Sequence, residues 1–491
     1  MARARGQFFT VYVDHRDPDR ILKICEIVDR IEELHYSSII QPLPLFLEFI
    51  GPAPNLKALH LRPESVVKSG EPMLGIKLPI IFSGFLPSLR NLTLTSTVTW
   101  PIGLFRGLTS FECGTSDQFP IPPIHVLDVL QESPKIEVLR LTGHCKLPQP
   151  FDPPAVALPS LRQCSLIGDG TTSLIRFITV PASTTVFLRR RYSLDSNPLP
   201  TFNSLSEASG IRVLNDISAI SFSIRDHMVR LQVNNTYGGV LDAEEHGIGD
   251  FSQDPPTFVY FLGSFFECGN TCPDFTTTKR FTLHIERGGI WEDPRAVGLF
   301  CVVLTKLIFV LRNVEQMEFS GLPSKELTFV LAFLSSSGPN IKHSSPNLKQ
   351  LRVETTPLHS PEPLLKVLDQ LFRKRKELGA PLQSVKVKVK CEMLIPAAAH
   401  CALLSSWEGL IEEGVLLEYE QAKVEELPRY RSWDHEDEGD DERDHEEEDD
   451  DERDREEEDE ETHSGDPGYG CVGWDGWPGQ WPKTAGEMGS Q

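Results

Sequence analysis

The sequence lacks paired cysteine spacing, a long uninterrupted apolar run and, outside one stretch, almost any net charge. Each absence excludes something. The best candidate for a membrane span runs from Val297 to Leu311, but it is short and Lys306 interrupts it. A spanning helix needs about 20 apolar residues, so the segment reads as a buried helix and no membrane partner is expected. The ten cysteines (25, 113, 145, 164, 268, 272, 301, 391, 401 and 471) are scattered, unlike the framework of a disulfide-stapled secreted domain. Several fall in apolar patterns, where a thiol behaves as a small hydrophobe. Met1-Ala-Arg-Ala-Arg-Gly6 is not followed by the apolar segment of a secretory leader. The expected location is cytoplasmic or nuclear, not secreted, so the sequons at Asn91 and Asn234 carry no weight.

Catalytic signatures are missing too. No dinucleotide-binding glycine fingerprint, Walker loop, His-Glu-x-x-His or Gly-x-Ser-x-Gly occurs. The acidic stretch Asp14 to Asp19 gathers carboxylates around His15, but it spans a strand end and a helix N-terminus, where acidic residues are favoured anyway. Cys268 and Cys272 have no second pair at ligand spacing and read as a loop. No catalytic, cofactor-binding or metal residue is assigned, and the chain is not expected to be an enzyme.

The net charge of −23 is local: Asp434 to Glu461 holds 22 acidic and 3 basic residues, which leaves −4 for the other 463. A near-neutral body with an acidic tail disfavours nucleic acid as a partner. Two basic clusters stand against this, Arg189 to Arg191 and Arg373 to Lys376. The second closes an amphipathic helix, where cations complement the helix dipole.

A short phrase recurs. Ser345-Pro-Asn-Leu-Lys-Gln-Leu-Arg-Val-Glu354 echoes Pro54-Asn-Leu-Lys-Ala-Leu-His-Leu61, and both follow the pattern apolar-x-x-apolar-x-apolar. Further copies are Leu89–Leu92–Leu94, Ile136–Leu139–Leu141 and Leu161–Cys164–Leu166. Looser ones are Ile31–Leu34–Tyr36, Val314–Met317–Phe319 and Leu382–Val385–Val387, with the alternating half alone at Phe281, Leu283 and Ile285. The clearest neighbours are 25 to 34 residues apart, and residues 190–275 are worst defined and read as a place for insertions.

Between copies the period becomes helical: Ile21, Ile24, Cys25 and Val28 after Asp17-Pro18; Ile124, Leu127 and Leu130; Phe329, Leu331 and Phe333; Leu364, Leu365, Leu368, Leu371 and Phe372. Strand, helix, strand in one sense needs crossovers and a parallel sheet. The expected fold class is therefore α/β: an irregular leucine-rich-repeat-like solenoid, a curved parallel sheet with helices on its convex side, over residues 8–395. An ordinary doubly wound sheet is the alternative. Residues 1–7 read as a remnant of a linker, 396–431 as a C-terminal cap, and 432–491 as a disordered acidic, then Gly/Trp-rich tail.

Side chains alternate across a strand. If the apolar triplets point inward, their neighbours form a concave polar face, with His35, His60, Arg62, Thr93, Arg140, Gln163, Ser165, His284, Glu318, Gln350, Arg352, Lys386 and Lys388 as its expected binding residues. A broad face of mixed sign suits a protein partner. The tail offers a different working part, its acidic run with three tryptophans between Gly473 and Trp481, a short and unspecific likeness to the Gly-Trp hooks that enter pockets on Argonaute proteins.

Ala2-Arg-Ala-Arg-Gly-Gln-Phe-Phe-Thr-Val-Tyr-Val-Asp14, then Ile31-Glu-Glu-Leu-His-Tyr36, resembles the segment that follows the F-box in F-box/leucine-rich-repeat-like proteins of mushroom-forming fungi (basidiomycetes). The ending Trp407-Glu-Gly-Leu-Ile-Glu-Glu-Gly-Val-Leu-Leu-Glu-Tyr419 is similar as well. The resemblance implies a substrate receptor: an N-terminal F-box docks on the adaptor of a cullin-RING ubiquitin ligase, and the repeats choose the target. This sequence has no F-box, since Leu43-Pro-Leu-Phe-Leu-Glu-Phe-Ile50 lies inside the repeats and lacks the remaining helices. An adaptor is thus expected as a partner only if an F-box lies upstream. The expectations are a non-enzymatic protein-binding module first, a free-standing scaffold second and an α/β hydrolase third.

Overall fold

The computed structural model describes residues 8–14, 24, 26–38, 51–63, 76–95, 97–115, 120–148, 150–191, 205, 210–225, 228–246, 275–286, 294–335, 345–355, 362–391 and 415–421. All lie in the compact unit Met1–Arg429. In chain order the strands are β1 (Phe9–Asp14), β2 (Ile31–Ser38), β3 (Ala58–Pro63), β4 (Ile76–Lys77), β5 (Asn91–Thr95), β6 (Thr97–Thr99), β7 (Ser110–Gly114) and β8 (Val138–Thr142). Next come β9 (Val156–Ala157), β10 (Gln163–Ile167), β11 (Ile178–Thr179), β12 (Thr185–Arg191), β13 (Ile217–Arg225), β14 (Met228–Asn235) and β15 (Val240–His246). The last are β16 (Arg280–Ile285), β17 (Gln316–Leu322), β18 (Gln350–Thr355), β19 (Ser384–Cys391) and β20 (Val415–Gln421). Four α-helices are described: α1 (Pro123–Glu132), α2 (Pro294–Val310), α3 (Ser324–Ser335) and α4 (Glu362–Glu377).

Sixteen strands form one open sheet in the order β1-β2-β3-β5-β7-β8-β10-β12-β15-β14-β13-β16-β17-β18-β19-β20. Every neighbouring pair is parallel except the two made by β14. The protein is thus α/β with a large, mostly parallel sheet. Two short pairs, β4 with β6 and β9 with β11, stand apart from it.

The recurring phrase is the device that starts each strand. Its first apolar residue closes a turn by donating its N–H to the carbonyl three residues back: Leu56 to Ala53, Leu89 to Leu86, Ile136 to Ser133, Leu161 to Leu158, Leu348 to Ser345. The following residue donates to its counterpart one strand earlier, as from Lys57 to Glu32 (2.7 Å), Arg90 to Lys57 (2.8 Å) and Glu137 to Thr109 (2.7 Å). Register is therefore fixed before each strand begins.

That register carries the second apolar position of every copy into one row. Leu34, Leu59, Leu92, Phe111, Leu139, Cys164 and Val186 are successive partners. The row continues through Leu241, Val233, Ile220, Phe281, Met317, Leu351 and Val385. A parallel row runs two residues further on, from Val13 and Tyr36 through Leu61, Leu94 and Leu141 to Val353 and Val387. Both rows share one continuous core with the apolar faces of the helices. Val126, Leu127, Val129 and Leu130 supply it from α1, and Leu364, Leu365, Leu368, Leu371 and Phe372 from α4. Pro123 at the first helical turn starts α1, where a missing N–H costs nothing.

Four expectations change. Residues 190–275 contain part of an antiparallel meander, β13-β14-β15, in which β15 pairs with β12 and β13 with β16. The chain passes over this gap and fills it on the way back. β7 and β12 are two more parallel strands that the phrase did not mark. Past residue 395, β20 still belongs to the same sheet. The apolar segment at Val297 is helical, but only one side is buried: Phe300, Leu304, Leu307 and Ile308 face the core while Val302, Phe309 and Val310 are exposed. No helix among the described residues is long and apolar enough to cross a membrane. Ile21, Cys25 and Asp17 to Asp19, Cys268 and Cys272, and the tail after residue 421 lie outside the described residues.

The bulge in β17 falls at Gly321, with φ +77°. A Cβ there would stand 1.6 Å from the Ile285 carbonyl oxygen. Gly321→Ala is expected to cost upwards of about 1 kcal/mol from left-handed strain alone. Leu139→Ala, in the fully buried row, is expected to cost about 2–5 kcal/mol, and Arg140→Ala beside it no more than about 0.5 kcal/mol. Urea unfolding midpoints measure all three; equal losses at positions 139 and 140 would contradict the two-faced sheet.

Candidate functional site

The opposite face of the sheet is polar, and the same register orders it. Tyr12, His35, His60, Thr93, Glu112, Arg140 and Ser165 are successive partners across β1, β2, β3, β5, β7, β8 and β10. Beyond the meander, Thr282, Glu318, Arg352 and Lys386 continue that row. Gln163 and Gln350 stand one pleat before it, and Arg62, His284 and Lys388 one pleat after. All thirteen residues expected on this face thus fall on it, in three adjacent rows.

Several charges on the face meet an opposite charge on the next strand. Arg352 pairs with Glu318 and Lys388 with Glu354, both at 3.4 Å. Arg140 Nη2 donates to Gln163 Oε1 at 3.4 Å. His284 contacts Ser320 and lies 3.1 Å from Glu286. On the meander, Arg189 bonds Glu244 at 2.7 Å, and Arg230 bonds Asp242 through Nε at 2.8 Å. The exposed pair Arg352–Glu318 contributes about 0–1 kcal/mol, while the pairs of the meander rest on the buried Glu244 and the largely buried Asp242.

The basic clusters are absorbed structurally. Arg190 is buried, 3.0 Å from Asp169 and 3.5 Å from Glu245. Arg375 is buried beneath the Ser345–Leu348 phrase, donating Nη2 to the carbonyls of Ser345 and Leu348 at 3.2 Å and Nε to Ala380 at 3.1 Å. Burial draws its guanidinium below the usual arginine range. Its role is to hold a strand-starting turn, not merely to complement the dipole of α4.

The most ordered chemistry sits at the β1–β3 end. The rings of Tyr12 and His35 stack at 4.4 Å, and those of His35 and His60 at 4.3 Å with 4° between their planes. Glu33 Oε1 lies 2.9 Å from His35 Nε2 and 3.5 Å from His60 Nε2. Thr10 Oγ1 donates to Glu33 Oε2 at 3.2 Å, and Thr93 Oγ1 lies 3.0 Å from His60 Nδ1. Burial lowers the His60 pKa, and the neighbouring His35 and Arg62 lower it further against Glu33 and Glu112. For Glu33, slight burial acts upward, but the bonds from His35 and Thr10 and the charge of the imidazoles carry it below the ordinary carboxyl value. Tyr12 and Glu112 were missed because the phrase does not mark β1 or β7, although alternation of Val11 and Val13 around Tyr12 signals that side chain.

Burial pushes Cys113, Cys145 and Cys164 up to about 12, so at neutral pH they are protonated core residues and not nucleophiles.

The His60 and Glu33 shifts have the same sign. Each group binds its proton less readily in the folded chain than in the unfolded one, where an imidazole titrates near 6.5 and a carboxyl near 4.5. The unfolded chain takes up more protons on acidification, so this contribution to stability is complete above each ordinary value and is lost below it. Between pH 7 and pH 5 the urea midpoint of the wild type is expected to fall further than that of His60→Gln; parallel curves would remove the assignment.

No family model matches the chain, and comparison with curated proteins and with solved structures finds no match either.

Proposed function

We propose that the chain is a protein-binding module, a leucine-rich-repeat-like solenoid whose polar face holds a macromolecular target. One observation carries the reading: polar side chains from three pleats stay in register across the sheet while both flanking rows are buried without interruption. With strands about 4.8 Å apart and side chains on one face about 7 Å apart along a strand, sixteen strands give a contour of about 70 Å and a face of about 1,000 Å². That exceeds the roughly 800 Å² that each partner contributes to a standard interface. A small substrate would use a concave pocket instead; a broad field of paired charges suits a partner that supplies complementary charges.

The likeness to fungal F-box proteins gives this module a role, as the target-choosing part of a ubiquitin-ligase subunit. An adaptor partner belongs to that role only through an F-box encoded upstream. At the far end of the face Arg352, Lys386 and Lys388 alternate with Glu318 and Glu354, a mixed pattern that then favours a target surface of complementary mixed sign.

Charge reversal separates this reading from the others. Arg352→Glu, Lys386→Glu and Lys388→Glu combined are expected to cut recovery of co-purifying proteins at least about 10-fold in quantitative affinity capture. Arg162→Glu, on an exposed side chain in the turn before β10, is expected to leave the set unchanged. A set insensitive to the triple change but lost on removal of residues 432–491 would transfer the function to the tail.

A further inference from the structure

Among the described residues, one group of three side chains brings metal-binding atoms together: Glu33, His35 and His60 offer a carboxylate oxygen and two ring nitrogens, all within 4.8 Å of one another. We propose that these three residues bind a borderline divalent cation of the zinc class on the polar face, leaving at least one coordination position open to solvent or to a group from a bound molecule.

Parallel pairing does the placing. His35 and His60 are register partners on β2 and β3, and Glu33 lies two residues before His35, on the same face by alternation. One oxygen, Glu33 Oε1, approaches both Nε2 atoms, at 2.9 Å and 3.5 Å. Ligand atoms that share a tetrahedral ion at 2.0–2.1 Å stand about 3.3 Å from one another, so the separations bracket the required value. The two Nε2 edges meet at that oxygen, and a cation takes the place of the ring protons there.

The outer partners are also present. Thr93 Oγ1 lies 3.0 Å from His60 Nδ1; with the ring proton on Nδ1, the hydroxyl accepts it and the Nε2 lone pair is left for the metal. Thr10 holds the second carboxylate oxygen of Glu33. The parallel rings must splay for their lone pairs to converge, and the terminal torsion of histidine is broad enough to allow it. Two imidazoles and a carboxylate suit zinc or its neighbours; calcium and magnesium prefer oxygen alone.

Cobalt(II) added to the full chain tests the site, because four-coordinate Co²⁺ absorbs strongly in the visible whereas Co²⁺ on the carboxylates of the acidic tail, six-coordinate, absorbs weakly. The expected result is intense absorption that saturates at one equivalent and is displaced by Zn²⁺. His35→Ala, His60→Ala and Glu33→Gln are each expected to abolish it while the far-ultraviolet circular dichroism spectrum at 25 °C stays that of the folded wild type, as all three side chains are half-buried on the polar face and none belongs to the apolar core. His284→Ala, on the same face, is expected to leave it intact, and Thr93→Val to weaken Co²⁺ affinity about 10-fold. Only weak absorption in the wild type, or intense absorption that survives the histidine changes, overturns the proposal. Unchanged affinity in Thr93→Val removes the part given to that hydroxyl.

Discussion

The bond from Arg90 N to the Lys57 carbonyl, and its equivalents from Lys57 to Glu32 and from Glu137 to Thr109, set the spacing on which everything else depends. Each is made one residue before a strand starts, where the backbone has just been bent by a tight turn. The next strand has no freedom to slide by a single residue, a slip that would turn every buried leucine outward. Leu59 then meets Leu92, Phe111 meets Leu139, and the core grows by accretion of equivalent rows. Polar side chains inherit their order from the same bonds, so the polar face follows from the register of the core.

Much of this was legible because strands and helices have different periods. Leu56–Leu59–Leu61 and Leu348–Leu351–Val353 announce their strands, and the helical spacing from Leu364 to Phe372 announces α4. β12 escaped because its first position is Ser183, and the turn there is secured by Thr184 Oγ1 donating to the Leu161 carbonyl at 2.8 Å. The hydroxyl replaces the expected apolar signal. The reversal at β14 did leave a mark, Gly238-Gly239 between two alternating runs, with Gly238 at φ +80°. A glycine pair of that kind is a hairpin signal, but the leucine phrase drew attention to parallel strands only.

What could not be read was anything that joins distant parts of the chain. Arg375 looks like a helix-end cation, yet its acceptors lie 27 and 30 residues back at Leu348 and Ser345. Glu33 and His35 suggest nothing by themselves until the pairing of β2 with β3 sets His60 against them. Composition supplies the groups, while convergence comes only from register. Alternation, a local property, was enough to sort all thirteen expected face residues from the core.

The reversed strand divides an otherwise uniform sheet. On either side of it, most strands pair with one close in the sequence. At the meander, Thr185 must meet Val240 and Ala219 must meet Arg280, so two loops of more than fifty residues close before the halves become continuous. These are among the longest-range pairings of the sheet, and long-range pairings form more slowly than local ones. Among the described strands only β13, β14 and β15 lie between β12 and β16, so the strands on either side belong to one sheet through the meander alone.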